Sequence, residues 1–442
     1  MLDFKSHLND SQRAAVTTVN GPIVVIAGAG SGKTRVIAYR VLYLVQNKIS
    51  PNSILLLTFT RRAAKTMLDR AAKHEIRCKN VEGGTFHSFA YKMLKRYAKY
   101  IGFTDSFSVL DEGDSEEAIH KCCNNLGFFE RDIRFPRKDT LKKIISMSIN
   151  KNISFEGVLM KEYPHLIDYS SDIEKLWEKY TEYKINKNYA DFDDLLLYLS
   201  ILLKISDIQT IFSNKYRYIM VDEYQDTNTL QGNITHLLAI KHRNVMVVGD
   251  DAQSIYGFRG SSHENIMNFP KIFPECKIFK LEENYRSKQS ILDIANSVLE
   301  NMVNKYSKCL VSANKRIGNK PQLKFFKNQY SEAEWVASKI KELFDEGILF
   351  NKQAVLYRSA FISIPLQVEL TKRNIPFQVF GGRKFSETAH VKDIISHLKV
   401  IVNPRDELAW NRVLMLITGI GPIIAGKLVE EILALSNLKE II

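Results

Sequence analysis

"IVVIAGAGSGKTR", Ile23 to Arg35, decides the fold. A strand-length apolar run enters a glycine-rich turn, and a helical pattern begins where the turn ends. The turn has the form [A/G]xxxxGK[S/T], running Ala27, Gly28, Ala29, Gly30, Ser31, Gly32, Lys33, Thr34. Its glycines let the backbone turn tightly and aim N–H groups at phosphate oxygens. The helix that follows adds the positive end of its dipole. Lys33 is placed to reach the outer phosphates of a nucleotide, and Thr34 to ligate Mg2+. A glycine-rich turn with a chance lysine is the bland alternative, and the strand–loop–helix context argues against it.

Working outward, "YIMVDEYQDTN" (Tyr218 to Asn228) supplies a second half-site. An apolar strand ends in two acids. Asp222 is placed to hold Mg2+, and Glu223 to orient and deprotonate an attacking water. Two acids after a strand are more often a surface turn, but the upstream phosphate loop favours the chemical reading. "PIVVIAG", "SILLLTF", "YRYIMVDE" and "NVMVVGD" read as buried strands, each with helical sequence nearby, which predicts an α/β fold with a helix-covered parallel sheet. Between Phe89 and Ser200 helical periodicity and lysine dominate. After Tyr285, "PQLKFFK", "QAVLYRS" and "FQVFGG" resume the strand–helix alternation.

The chain has 442 residues, enough for about three domains. Hydrophobic content is 45% and charged content 25%, ordinary for a soluble globular protein. Its net charge of +13 favours a polyanionic partner, nucleic acid first, or a solvated lysine-rich surface. The five cysteines form no CxxC and suit no zinc or iron–sulfur site; their scatter suits a reducing cytoplasm. The N-terminus has no signal-peptide pattern, and no apolar run approaches a membrane span.

Further motifs carry a resemblance. "LNDSQRAAV" (from Leu8), "LLTFTRRAAKTM" (from Leu56), "GTFHSFA" (from Gly84), "DFDDLL" (from Asp191), "VVGDDAQSIYGFRG" (from Val247) and "LEENYRS" (from Leu281) occur in this order. With "FGGRKF" (Phe380 to Phe385) and "TGIG" (Thr418 to Gly421), the chain resembles the UvrD/Rep/PcrA group of superfamily 1 DNA helicases. The resemblance implies a RecA-like ATP-binding domain (1–88 and 200–281) and a helical insertion (89–199). It further implies part of a second RecA-like domain (282–382) and the start of a helical accessory domain (383–442). ATP and Mg2+ are the implied cofactors. Gln12 would read adenine, and Arg35 and Tyr285 would sandwich it. Gln253 would sense the γ-phosphate, and Arg286 would stabilise charge on the transferring phosphoryl group. Phe59, Arg61, Arg62, His87, Tyr256, Phe258 and Arg259 would meet single-stranded DNA, the aromatics by stacking. Phe258 stands where the family usually has tryptophan. Arg61 and Arg62 replace the common Asn-Lys, and a solvated helix start is their other reading. The family polarity is 3′ to 5′, with single-stranded DNA and single-strand/duplex junctions as partners.

Lys121, Arg131, Arg134, Arg137, Lys138, Lys142 and Lys143 form either a duplex-facing surface or a solvated helical face. "TGIGPIIAGKL" reads as a helix–hairpin–helix grip on a DNA phosphate, or as a plain packing joint. The family's TxHxxKGLE-type and YVxxTRA-type strings do not occur. The expectation is therefore an N-terminal portion lacking later motifs, weak alone in hydrolysis and unwinding, with a protein or chain segment supplying the rest. The alternatives are one half of a split helicase and a nucleotide-regulated DNA-binding protein.

Overall fold

The computed structural model describes residues 2–104, 107–129, 135–314, 317–380 and 389–434. It divides into two compact units, Met1–Asn319 and Lys320–Ile442.

The first unit is built on a six-stranded sheet. In chain order its strands are β1 (Ile23–Ala27), β2 (Ile54–Thr58), β3 (Glu82–Thr85), β4 (Tyr218–Val221), β5 (Val245–Gly249) and β6 (Lys277–Leu281). They lie side by side as β3-β2-β4-β5-β1-β6, and every neighbouring pair is parallel. Each parallel connection needs a crossover, which is why helices cover both faces. Strand alternation then divides the core. Val24, Ile26, Leu55, Leu57, Ile219 and Val221 point into one apolar layer. Ile23, Val25, Ile54, Leu56, Met220 and Met246 point into the other. Burial on both faces explains the near-continuous apolar runs of the inner strands.

The α/β expectation and its four named strands therefore hold. The two edge strands were not expected. β3 is "EGGT", whose glycines carry little strand preference, and the side chains of β6 are mostly exposed. An edge strand packs less than an inner one, so neither leaves an apolar run to read.

Among the described residues, seven α-helices separate β3 from β4. A buried polar knot fastens them. Asp191 caps helix Phe192–Leu202 by accepting from the Asp194 N–H (2.9 Å). Its other oxygen accepts from Tyr180 Oη (2.9 Å) and from the amino groups of Lys142 (3.1 Å) and Lys184 (3.2 Å). Lys184 also pairs with Asp194 at 2.6 Å. Asp193 accepts from Lys142, Ser146 and Asn150, and Asn228 donates to Asn150 (2.7 Å). The segment after the acidic pair is thus tied to the helical region.

This knot removes Lys142 from the expected basic face, because its amino group turns inward to two carboxylates. Lys138 pairs with Glu117, and Lys143 lies 3.8 Å from Asp139. Arg131 and Arg134 lie outside the described residues.

In the second unit the strands expected at "PQLKFFK" and "QAVLYRS" do not form. Both stretches lack ladder partners among the described residues, and Leu323, Phe325 and Leu356 are largely exposed. A strand needs a neighbour to take its N–H and C=O groups, so apolar alternation alone makes no sheet. Phe377–Phe380 behaves likewise, and the remainder of "FQVFGG" and "FGGRKF", 381–385, lies outside the described residues. Helices Gln329–Asp345 and Ile364–Lys372 pack through Ala337, Leu370 and Ile375. A second small core joins Val400, Ala409, Trp410 and Val429. There "TGIG" links helices Glu407–Leu414 and Pro422–Ala434, with Gly419 at φ +91°. Gly421 accepts from the Ala425 N–H (2.9 Å), and Ala425 is buried between the packed helices. Among the described residues no single helix is long and apolar enough to cross a membrane.

Candidate functional site

Parallel strands place everything that follows their C-terminal ends on one edge of the sheet. Gly28–Thr34 follows β1, Phe59 follows β2, His87 follows β3, Asp222 and Glu223 follow β4, Gln253 follows β5, and Tyr285 and Arg286 follow β6. The sheet thereby gathers residues spread over more than half of the chain.

The phosphate loop is closed by the Ser31 N–H and hydroxyl, which both donate to the Gly28 carbonyl (3.1 and 2.7 Å). Gly32 takes φ +92° and caps helix Lys33–Gln46 without any side-chain hydrogen bond. The orphan N–H groups of the first turn are therefore open to an anion. Asn284, in the segment after β6, covers the loop, donating to the Ala29 carbonyl, and the Tyr285 N–H donates to the Gly30 carbonyl (3.0 Å). At Gly30, φ +75°, a Cβ would fall 2.7 Å from Arg286 Cβ and 2.8 Å from Asn284 Nδ2. Gly30→Ala is accordingly expected to weaken nucleotide binding about tenfold, through backbone strain of about 1–3 kcal/mol. Titration with a fluorescent ATP analogue reads it, and unchanged affinity would contradict the geometry.

Lys33 Nζ lies 2.7 Å from Glu223 Oε2, so the two half-sites meet. Glu223 itself sits at φ +48°, unusual for a residue with a side chain and a sign of local strain. Burial pushes the Asp222 carboxyl up to about 7, with the Glu223 charge adding and Lys33 opposing. Asp226 is raised to about 6 in the same way. One oxygen of each, Asp222 Oδ1 and Asp226 Oδ1, is buried without a hydrogen-bond partner among the described residues. Buried carboxylate oxygens left unpaired beside a phosphate loop suit a hard divalent cation. No group of three His, Cys, Asp or Glu able to hold a metal occurs among the described residues.

Two of the expected base-reading residues, Gln12 and Tyr285, meet through Asn9. Gln12 completes a capping box, accepting from the Asn9 N–H (3.3 Å), and donates to the Ser31 carbonyl (2.9 Å). Asn9 Nδ2 donates to Tyr285 Oη (3.0 Å) and Glu283 (3.1 Å). Burial and the bond to Glu283 raise the Tyr285 hydroxyl's pKa, while Arg35 nearby lowers it. Arg35 also lies 5.5 Å from the Tyr39 ring centre. Arg286 is exposed, its N–H donating to Asn284 Oδ1 (2.8 Å).

The aromatic residues form a platform. Phe59 and Tyr256 stack at 5.2 Å and 21°, and Phe258 lies 6.1 Å from Tyr256. Phe59 and Phe258 are 46% and 63% exposed, enough to offer ring faces to a ligand. Arg61 and Arg62 begin helix Arg61–Ala72 and are exposed. His87 packs edge-on to Phe192 at 6.2 Å, and burial lowers its pKa against the pull of Asp193. The side chain of Arg259 lies outside the described residues.

Three connecting residues escaped the sequence reading. Gln225 donates to Glu223 Oε2 (2.9 Å) and accepts from the Asp250 N–H (3.0 Å). Asn284 secures the loop, and Lys308 pairs with both Asp250 and Asp251. Gln225 lies inside "YIMVDEYQDTN" and Asn284 inside "LEENYRS", so a local sequence signal exists for both. Lys308 is a single lysine in an unremarked stretch, and only folding gives it partners.

A model of the UvrD/REP helicase N-terminal domain matches residues 8–274, and one of the UvrD-like helicase C-terminal domain matches 279–440. The chain is 35% identical over 412 residues to the ATP-dependent DNA helicase Rep of Buchnera aphidicola, covering 92% of this chain and 61% of that protein. It is 37% identical over 432 residues to a probable DNA helicase II homologue of Mycoplasma capricolum (96% and 58%). It is 35% identical over 423 residues to the ATP-dependent DNA helicase PcrA of Staphylococcus aureus (94% and 57%). The chain thus spans about three fifths of the length of these relatives. The expectation of a chain lacking the later motifs is not borne out: the C-terminal-domain match reaches residue 440, so both family domains are represented.

Proposed function

For a chain that belongs to the UvrD/REP helicase family, we propose ATP hydrolysis coupled to movement along single-stranded DNA, as an ATP-dependent DNA helicase or translocase. The observation that carries this reading is the junction of two sites on one sheet edge. Lys33, Glu223, Gln225 and Asp250 form an unbroken chain of polar contacts, and Ser254 Oγ donates to the Gln225 carbonyl (3.0 Å) two residues before the stacked Tyr256. The phosphate-loop segment and the aromatic platform therefore share one scaffold, which supports the coupled reading.

In this reading the N–H groups of Gly28 to Thr34 cradle the phosphates, and Lys33 leaves Glu223 for the outer phosphates. Glu223, released, takes a proton from water. Thr34 and Asp222 would hold Mg2+, which neutralises phosphate charge. Gln253 and Arg286 face the terminal phosphate, while Gln12, Arg35 and Tyr285 hold adenine. Phe59, Tyr256 and Phe258 stack on bases, and Arg61, Arg62, His87 and Arg259 accompany the strand. We assign residues 1–88 with 200–281 to the ATP-binding domain and 89–199 to its insertion. Residues 282–382 and 383–442 are assigned to second RecA-like and accessory portions. The "TGIG" turn would grip duplex at a single-strand/duplex junction.

Tyr256→Ala is expected to weaken single-stranded DNA binding about five- to hundredfold, from a stacking loss of about 1–3 kcal/mol per base. The loss should be similar for different base sequences, and fluorescence anisotropy measures it. The function itself is tested by ATP turnover with and without single-stranded DNA, and by displacement of 3′-tailed against 5′-tailed duplexes. DNA-stimulated turnover with preference for the 3′ tail is expected. Turnover indifferent to DNA would overturn the coupling, and preference for the 5′ tail would overturn the polarity.

A further inference from the structure

We infer that Lys308 is a positioning residue for hydrolysis, holding the segment that connects the Glu223 carboxylate to the aromatic platform; this rests on the ATPase reading above.

Lys308 reaches back from the chain beyond helix Gln289–Glu300. Its side chain is 2% exposed, and its amino group pairs with Asp250 and Asp251. Those two acids are consecutive and buried. Without a cation between them, they would repel across a medium that screens poorly. Asp250 is a junction. Its N–H donates to Gln225 Oε1, and its carboxylate accepts from Ala252 N–H and from Gln253 Nε2. Gln225 in turn donates to the Glu223 oxygen that pairs with Lys33. Gly249 leaves the room for this: a Cβ there would lie 2.5 Å from Gln225 Oε1.

The neighbours of Lys308 fix it in turn. The Tyr306 N–H donates to Asp251 Oδ2 (2.9 Å), and Tyr306 Oη to the Ile266 carbonyl (3.1 Å). Leu310 lies against the phosphate loop, where a Cβ on Gly28 would meet its Cδ2 at 2.3 Å. Val311–Ser312 pairs in parallel with Glu283–Asn284, and Asn284 covers that loop. One short strap thus touches the phosphate loop, the segment after β5 and the segment after β6. Lys308 is its charged contact with Asp250. Removing the charge leaves Asp250 and Asp251 repelling each other, which loosens the Asp250 segment and with it the Gln225 restraint on Glu223, while leaving the phosphate loop and Lys33 intact. The loss should therefore appear in the rate of the chemical step and spare nucleotide binding.

The test uses the full chain and three variants: Lys308→Met, Lys308→Arg, and Lys308→Met combined with Asp251→Asn, which removes the like charge. ATP turnover with and without single-stranded DNA, binding of a fluorescent ATP analogue and the melting midpoint are measured together. Lys308→Met is expected to lower kcat at least about tenfold with KM for ATP within about twofold. Lys308→Arg should stay within about threefold of the parent chain, since it keeps the charge and donors. The double variant should regain the melting midpoint but not kcat. Recovery of kcat with the midpoint, or parental turnover in Lys308→Met, would overturn the inference and leave a purely structural ion pair. If Lys308→Met does not fold, the double variant carries the same decision. A parent chain without ATP turnover would sink the ATPase reading and this inference with it.

Discussion

Glu223→Gln is expected to lower ATP turnover about 10³-fold while ATP binding changes little, the range usual for loss of a general base. The change is nearly isosteric, so the 2.7 Å contact with Lys33 and the neighbouring Gln225 can be kept in shape. What disappears is the charge and the ability to take a proton. The position is well suited to the role: the side chain is 35% exposed beside a lysine that is 11% exposed, so water reaches the carboxylate but not freely the lysine. Loss of the Lys33–Glu223 attraction also leaves Lys33 free for phosphate, so ATP binding should be equal or tighter. Steady-state turnover and equilibrium binding of an ATP analogue decide it. Unchanged turnover would mean that Glu223 is not the base and would overturn its catalytic assignment.

Lys184→Met is expected to produce the largest loss of stability, about 3–5 kcal/mol, the usual cost of stripping one partner from a buried ion pair. Lys184 is 1% exposed and sits 3.2 Å from Asp191 and 2.6 Å from Asp194. Burial and the Asp191 charge already push the Asp194 carboxyl up to about 7. Asp191 is held well below the usual carboxylate range: burial opposes this, but Lys184 and Lys142 outweigh it. Removing Lys184 leaves these acids with Lys142 alone, which contacts Asp191 and Asp193. Urea unfolding followed by circular dichroism should show a clearly lower midpoint. Adding Asp194→Asn should restore part of it, since the amide carries no charge to leave uncompensated. A midpoint equal to that of the parent chain would show that the knot contributes little.

The sign of the pH dependence follows from the same pair. Asp194 binds its proton more tightly folded than unfolded, so its contribution is complete below the unfolded carboxylate pKa and is lost as pH rises through about 7. Asp191 runs the other way: its contribution is present above the unfolded pKa and is lost as pH falls below it.

How much was legible depends on whether a residue's role is local. The strand–loop–helix at Ile23 to Gln46 declares itself because the glycines, the lysine and the apolar strand are neighbours in the chain. The inner strands are equally plain, since burial on both faces demands uninterrupted apolar residues. The opposite error has the same root: "PQLKFFK" and "QAVLYRS" have strand composition, but no ladder takes their backbone groups among the described residues. Lys142 read as part of a charged face and turned inward, because its partners are about fifty residues away in sequence.

By itself, then, the sequence determined the phosphate loop, the acidic pair, the inner strands and the family to which their order belongs. Tertiary structure alone decided that β3 and β6 close the sheet, that Gln225, Asn284 and Lys308 join the site, and that the platform of Phe59 and Tyr256 stands beside it. The physical reason is range. Turn geometry and strand burial are set by adjacent residues, whereas a buried charge or a shared hydrogen bond is satisfied by whatever the fold brings near.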